Sequence, residues 1–210
     1  MSVFTAPACR GELRSLSPVP RARPALVAAW LLCAGPACGE IGAPAPALKL
    51  PSLEAPAFDG PGVDARAAAG ERAMVVHFFA TWCAACRAET RALASFARRF
   101  GGGKLAVVAV DVGEPAARVA AFFAREFPTG APFSVLLDEG RSASKAWGVF
   151  GLPTSFAVDR RGLMRAAAAG AVDWDAPQME RVLDALSSDA PAASGPLAFP
   201  LLAPIPETEP

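Results

Sequence analysis

From Met74 to Ala80 the chain reads MVVHFFA, an apolar run with one imidazole in it, and it passes without a turn signal into TWCAACRAE. A run that is apolar at successive rather than alternate positions fits a strand buried on both faces, in the middle of a sheet covered by helices. Leu93, Phe96, Ala97 and Phe100 then recur at helical spacing until Gly101 to Gly103 break the pattern, so a helix is expected from Cys83 to Arg99. LAVVAVDV, residues 105 to 112, predicts a second buried strand. Pro115 opens a helix with Val119, Phe122, Phe123 and Phe127 on its apolar face, and Pro128 with Gly130 closes it. PFSVLLD predicts a third strand, Ser142 to Trp147 a short helix, and TSFAVD with LMRAAAAG an antiparallel hairpin turned at RRG. A last helix starts near Asp175 and carries Met179, Val182, Leu183 and Leu186 on one side. The order β, α, β, α, β, short α, β, β, α calls for an α/β fold, a mixed central sheet flanked by helices on both faces.

A chain of 210 residues that is 53% hydrophobic can bury one sizeable core. Twenty basic and twenty acidic residues leave the formal net charge at zero, which removes the basic footprint that nucleic acid selects. The folded domain is expected over residues 57–188. Before it, Arg10, Arg14, Arg21 and Arg23 precede the apolar stretch ALVAAWLLCAG, so residues 1–37 read as an export signal, with a start downstream of Met1 also compatible with the Pro-containing stretch before Arg21. That stretch is short for a membrane span, which needs about twenty residues. Cleavage before Cys38 would leave the residue on which bacterial lipoproteins take an acyl anchor, although Gly35 stands where Leu is usual. Residues 38–56, rich in Pro and Ala, read as a tether, and 189–210, with six prolines, as a disordered tail. The apolar Leu197, Phe199, Leu201 and Leu202 give that tail a second reading, a segment docked on the surface.

Five cysteines fall into two groups, Cys9, Cys33 and Cys38 near the start and Cys83 with Cys86 in the middle. The two-residue spacing of the second group is also half of a structural zinc site, but zinc needs two more ligands and the folded region offers only His77, inside a strand expected to be buried. A static staple is a poor account as well, because so short a loop removes little chain entropy from the unfolded state. Redox chemistry remains. Cys83 is placed at the start of a helix, where free backbone N–H groups and the positive end of the dipole favour a thiolate. Cys86, one turn on, can attack a mixed disulfide formed on Cys83, so the pair moves two electrons with no further cofactor.

These residues resemble the thioredoxin-like proteins, and among them the exported branch typified by TlpA and ResA. FFATWCAACRAE is similar to that branch's strand-to-helix motif, and GLPT at 151 to 154 to the loop that carries its cis-proline. The resemblance spans roughly residues 48 to 187. It implies a thioredoxin-like fold, with Cys83 as nucleophile, Cys86 as resolving thiol, Trp82 at the edge of the site, and Leu152, Pro153 and Thr154 where substrate backbone docks. It also implies a protein on the periplasmic side that receives electrons from a membrane donor and reduces disulfides of client proteins, for example apocytochrome c before haem attachment. Ala84 and Ala85 depart from the pattern, since a proline usually precedes the second cysteine.

Glu89 matches a glutamate that such members keep near the active site, as a proton relay or a modulator of thiol pKa; a surface carboxylate is the competing reading. His77 stands where thioredoxins carry a buried carboxylate, and an imidazole there would take the proton from Cys86; a strand histidine satisfied by one hydrogen bond is the alternative. Trp147 and Trp174 read as packing. Two other functions compete. A peroxidase of the peroxiredoxin type would have Thr three residues before its cysteine, whereas Thr81 is two before Cys83. The other is a non-catalytic thioredoxin-fold binding module or a copper chaperone, the latter of a kind that uses a cysteine spacing longer by one residue and a distal histidine.

Overall fold

The computed structural model describes residues 41–53, 63–64, 70, 72–101, 103, 105–187 and 197–202. The export signal and Cys38 lie outside them. The elements are β1 (Lys49–Leu50), β2 (Val63–Asp64), β3 (Ala73–Phe79), α1 (Ala84–Phe100), β4 (Leu105–Val112), α2 (Ala116–Glu126), β5 (Ser134–Asp138), α3 (Ser142–Ala146), β6 (Thr154–Val158), β7 (Met164–Ala169) and α4 (Gln178–Ser187). The expected order is present, preceded by a small β1–β2 pair.

One five-stranded sheet runs β5-β4-β3-β6-β7, with β3 at its centre. β4 lies parallel to β3 and β5 to β4, while β6 and β7 are antiparallel, so the sheet is mixed. All seven residues of β3 and all eight of β4 are buried, as their unbroken apolar runs require. Alternate side chains feed two cores. Val75, Phe79, Ala109 and Val135 face α1, α2 and α4, through Leu93 and Phe96, Val119 and Phe123, and Met179 and Leu186. Met74, Val76, Phe78, Val108 and Leu136 face the other way, where Ala143 of α3 and the neighbouring Trp147 meet them. Helices therefore cover both faces. α1 stops at Gly101, whose N–H donates to Ala97 O at 2.8 Å; a Cβ there would sit 2.4 Å from that oxygen, so only glycine fits so close.

Residues 41–53 are not a tether. Gly42 N donates to Met164 O at 2.7 Å and Ala45 N to Gly162 O at 2.9 Å, along the β7 edge of the sheet. Farther on, Leu53 N donates to Val135 O at 2.8 Å and Leu137 N to Pro51 O at 2.9 Å, along the β5 edge. Between them Leu48 and Leu50 are buried in the second core. The arm thus blunts both exposed sheet edges and covers a face that α3 is too short to close. The prolines that make this stretch resemble a tether suit an edge where no ladder N–H is needed. The disordered-tail expectation likewise fails for residues 197–202, which follow the docked alternative: Phe199 is 6% exposed and enters the first core beside Trp174. No helix among the described residues is long and apolar enough to cross a membrane.

Candidate active site

The C-terminal ends of β3 and β4 meet the start of α1, and the local chain is held there by Thr81. Its amide donates to Glu114 Oε2 at 2.5 Å and its hydroxyl to Glu114 Oε1 at 2.7 Å, while its carbonyl accepts from Arg87 Nη1 at 3.0 Å. Every polar group of Thr81 is thus engaged at the entry to Cys83. Cys83 is the N-cap of α1 and its sulfur accepts the amide N–H of Cys86 at 3.2 Å. That contact puts the helix dipole and a backbone donor on the same sulfur, the arrangement that stabilises a thiolate.

Cys83 and Cys86 are joined as a disulfide. Cys83 is 8% exposed and Cys86 0%, so approach from solvent is to Cys83. Trp82 stands beside the pair with 59% of its surface exposed, more open than the shielding edge expected of it. The Leu152–Pro153 peptide bond is cis. Thr154 donates its hydroxyl to Gly151 O at 2.7 Å, so it braces the loop that presents Leu152 and Pro153. An open groove of about 760 Å³ has Ala85, Ala88 and Glu89 of α1 on one side and Leu152 and Pro153 on another.

Glu89 is not a surface carboxylate. It is 2% exposed, and its Oε1 accepts from Trp174 Nε1 at 2.5 Å and from the Val172 amide at 3.0 Å. Burial pushes its carboxyl up to about 7, against the lowering effect of those two donors. His77, on the face of β3 that points to α1, bonds through Nδ1 to Ser155 Oγ at 2.9 Å. Burial pulls its imidazole down to about 4, so it is neutral at pH 7 and a weak proton acceptor. The single hydrogen bond of the alternative reading is therefore present.

Two participants are not singled out in the sequence, and a third, Trp174, does more than pack. Glu114 clamps Thr81, and beneath it Asp111, fully buried, has its carboxyl raised to about 8 by burial and by the neighbouring Glu114. Trp174, read as packing, also anchors Glu89. Glu114 follows a strand by two residues in DVGEP, a position with no periodic signal.

Several solved structures are similar. A Chlorobium tepidum protein assigned provisionally as thiol:disulfide interchange protein DsbE matches with TM-score 0.60 and 24% identity, over 71% of this chain and 99% of that one. A second Chlorobium tepidum protein, a thiol:disulfide interchange protein of the thioredoxin family, gives 0.56 and 21%, over 72% and 100%. The exposed lipoprotein thioredoxin Etrx1 of Streptococcus pneumoniae gives 0.54 and 19%, over 66% and 98%. At such identities the likeness is one of fold. No curated protein matches the chain. The AhpC/TSA family model matches residues 41–167, more than half of the sequence and inclusive of the arm, the cysteine pair and the cis-proline loop. On that match and this architecture, the chain belongs to the AhpC/TSA family and has a thioredoxin-like fold.

Proposed function

We propose that this protein is an exported thiol-disulfide oxidoreductase that reduces client disulfides, with Cys83 as nucleophile and Cys86 as resolving thiol. The observation that carries the reading is the Cys86 N–H bonded to Cys83 Sγ at the cap of α1, beside a cis-proline loop. In the reduced protein, the Cys83 thiolate attacks one sulfur of a client disulfide, forming a mixed disulfide and releasing a client thiolate. Cys86 then loses its proton and attacks Cys83 Sγ, which closes the Cys83–Cys86 disulfide and releases the second client thiolate. Two electrons leave the protein and the client gains two thiols. Glu89, one turn after Cys86 on the same helix face, has the pKa to take that proton.

A donor on or across the membrane would restore the dithiol, and apocytochrome c is a client of the kind that the TlpA and ResA resemblance suggests. Export, and attachment through Cys38, rest on the basic, then apolar, residues 10–38. A Cys86→Ser variant exposed to periplasmic extract should accumulate mixed disulfides on Cys83 that dithiothreitol releases; a clean blank in that trap sinks the exchange mechanism. The AhpC/TSA match supports a second reading, peroxide reduction at Cys83. Thr81 counts against it, because its hydroxyl is bonded to Glu114 instead of facing the sulfur. Peroxide consumption by the reduced protein separates the two.

A further inference from the structure

The C-terminal segment is part of the site. Leu197 N donates to Arg165 O at 3.2 Å, Asp173 N to Pro200 O at 2.8 Å and Leu202 N to Ala171 O at 2.9 Å, and Leu201 bridges Val172. Phe199 packs edge-on against Trp174 with ring centroids 5.8 Å apart. The loop stitched down in this way is the one whose Val172 amide and Trp174 indole hold Glu89. On its outer side the segment turns Leu201 and Leu202, 55% and 50% exposed, into the groove of about 760 Å³ that starts at Ala85 and Pro153.

Two half-exposed leucines lining a groove that also takes in Ala85, which lies between the two cysteines, and Pro153 leave apolar surface open where another chain must approach. Of the groove's charged lining residues, Glu89 is buried and Asp175 is paired with Arg99 at 2.8 Å, so the wall offered to a ligand is mainly apolar. Its size suits a few side chains of a ligand rather than a folded surface. Because the backbone of residues 171–173 is already paired to the segment, recognition on this side falls to side chains.

We propose that Leu201 and Leu202 form a substrate-selecting wall, and that the groove takes an extended, apolar, cysteine-bearing segment of another polypeptide. This rests on the oxidoreductase reading. Apolar contact selects for the client, and an acidic side chain set against the same leucines would lose water without gaining a partner.

The test uses the full-length reduced protein and three probes at concentrations far below saturation. One is a disulfide-linked peptide with Leu and Ala around its cysteine and a single Lys, the second the same peptide with Asp in place of Leu, the third hydroxyethyl disulfide. The native protein is expected to reduce the apolar peptide at least about tenfold faster than the acidic one. Leu201→Ser with Leu202→Ser should lower the ratio of apolar-peptide rate to hydroxyethyl disulfide rate by about tenfold, and Leu201→Met with Leu202→Met should restore it. An unchanged ratio in the Ser variant, or equal rates for the two peptides, overturns the wall while leaving the oxidoreductase in place. Failure on all three probes overturns the oxidoreductase reading and the wall with it.

Discussion

His77 Nδ1 lies 4.0 Å from Glu89 Oε1, with both side chains 1% exposed. Burial disfavours charge on each and so moves them in opposite directions, the imidazole to about 4 and the carboxyl to about 7. At neutral pH the pair is a neutral ring beside a carboxyl near its midpoint. His77 Nε2 and Glu89 Oε2 have no hydrogen-bond partner among the described residues. Of the two groups, Glu89 is the one whose titration falls near neutral pH.

Glu89→Gln should remove a pH-dependent weakness. A carboxyl with a folded pKa of about 7 against 4.5 binds more protons folded than unfolded between those values. Its contribution is fully present below pH 4.5 and is lost as pH rises to about 7, a swing of about 3 kcal/mol. Gln keeps an acceptor for Trp174 and Val172 but does not titrate. Urea melts of the two oxidised proteins at pH 4.5 and pH 8 should diverge by about 2 to 3 kcal/mol in favour of the variant at the higher pH. Parallel curves would remove Glu89 as the titrating group.

The exchange reaction should follow the same residue. With the native protein, the rate of reduction of hydroxyethyl disulfide should show an inflection near pH 7 that Glu89→Gln abolishes and His77→Ala retains. An inflection lost only in the histidine variant would return the relay to His77.

Thr81 and Glu114 should matter more than their distance from the sulfurs in sequence suggests. Thr81→Val removes one donor from buried Glu114 and leaves its Oε1 with the more distant Arg118 Nη1 at 3.8 Å, at a cost of about 1 to 3 kcal/mol. Because the clamp sets the approach to Cys83, the thiol pKa of the reduced variant, followed by thiolate absorbance, should also shift. Native stability together with a native thiol pKa would show that the clamp is idle.

Leu48→Ala tests the arm. A tether residue can be truncated freely, whereas Leu48 is 1% exposed in the core beneath α3. The expected loss is about 2 to 5 kcal/mol in denaturant unfolding. A loss under about 0.5 kcal/mol, the range of surface substitutions, would put the arm outside the domain.

What was legible in the sequence was what repeats. β3 and β4 announce themselves by unbroken apolar runs, α1 and α2 by their spaced phenylalanines, and the cysteine pair by its place between a strand and a helix. Two kinds of information were not legible. Leu48, Leu50 and Phe199 sit among prolines in short segments with no period, and only the sheet edges and core gaps that they fill give them structure. Glu89 and Glu114 look like any surface acid on a polar helix face or in a loop; what distinguishes them is Trp174 or Thr81, 85 and 33 residues away.

The two buried tryptophans separate packing from polar anchoring in one comparison. Trp147 is 1% exposed against Phe78 and Phe156, and its indole N–H has no partner among the described residues. Trp147→Phe removes that unsatisfied donor while keeping a ring, so the loss of volume is partly offset and about 1 to 2 kcal/mol is expected. Trp174 has the same burial, but its N–H serves Glu89. Trp174→Phe strips a donor from a buried carboxyl and should cost about 2 to 4 kcal/mol, more at pH 8 than at pH 5, because the ionised form needs the donor most. Thermal melts at both pH values give the comparison, with the pH-dependent part as its signature. Equal, pH-independent losses at the two positions would mean that Trp174 acts by bulk and that Glu89 does not depend on its indole.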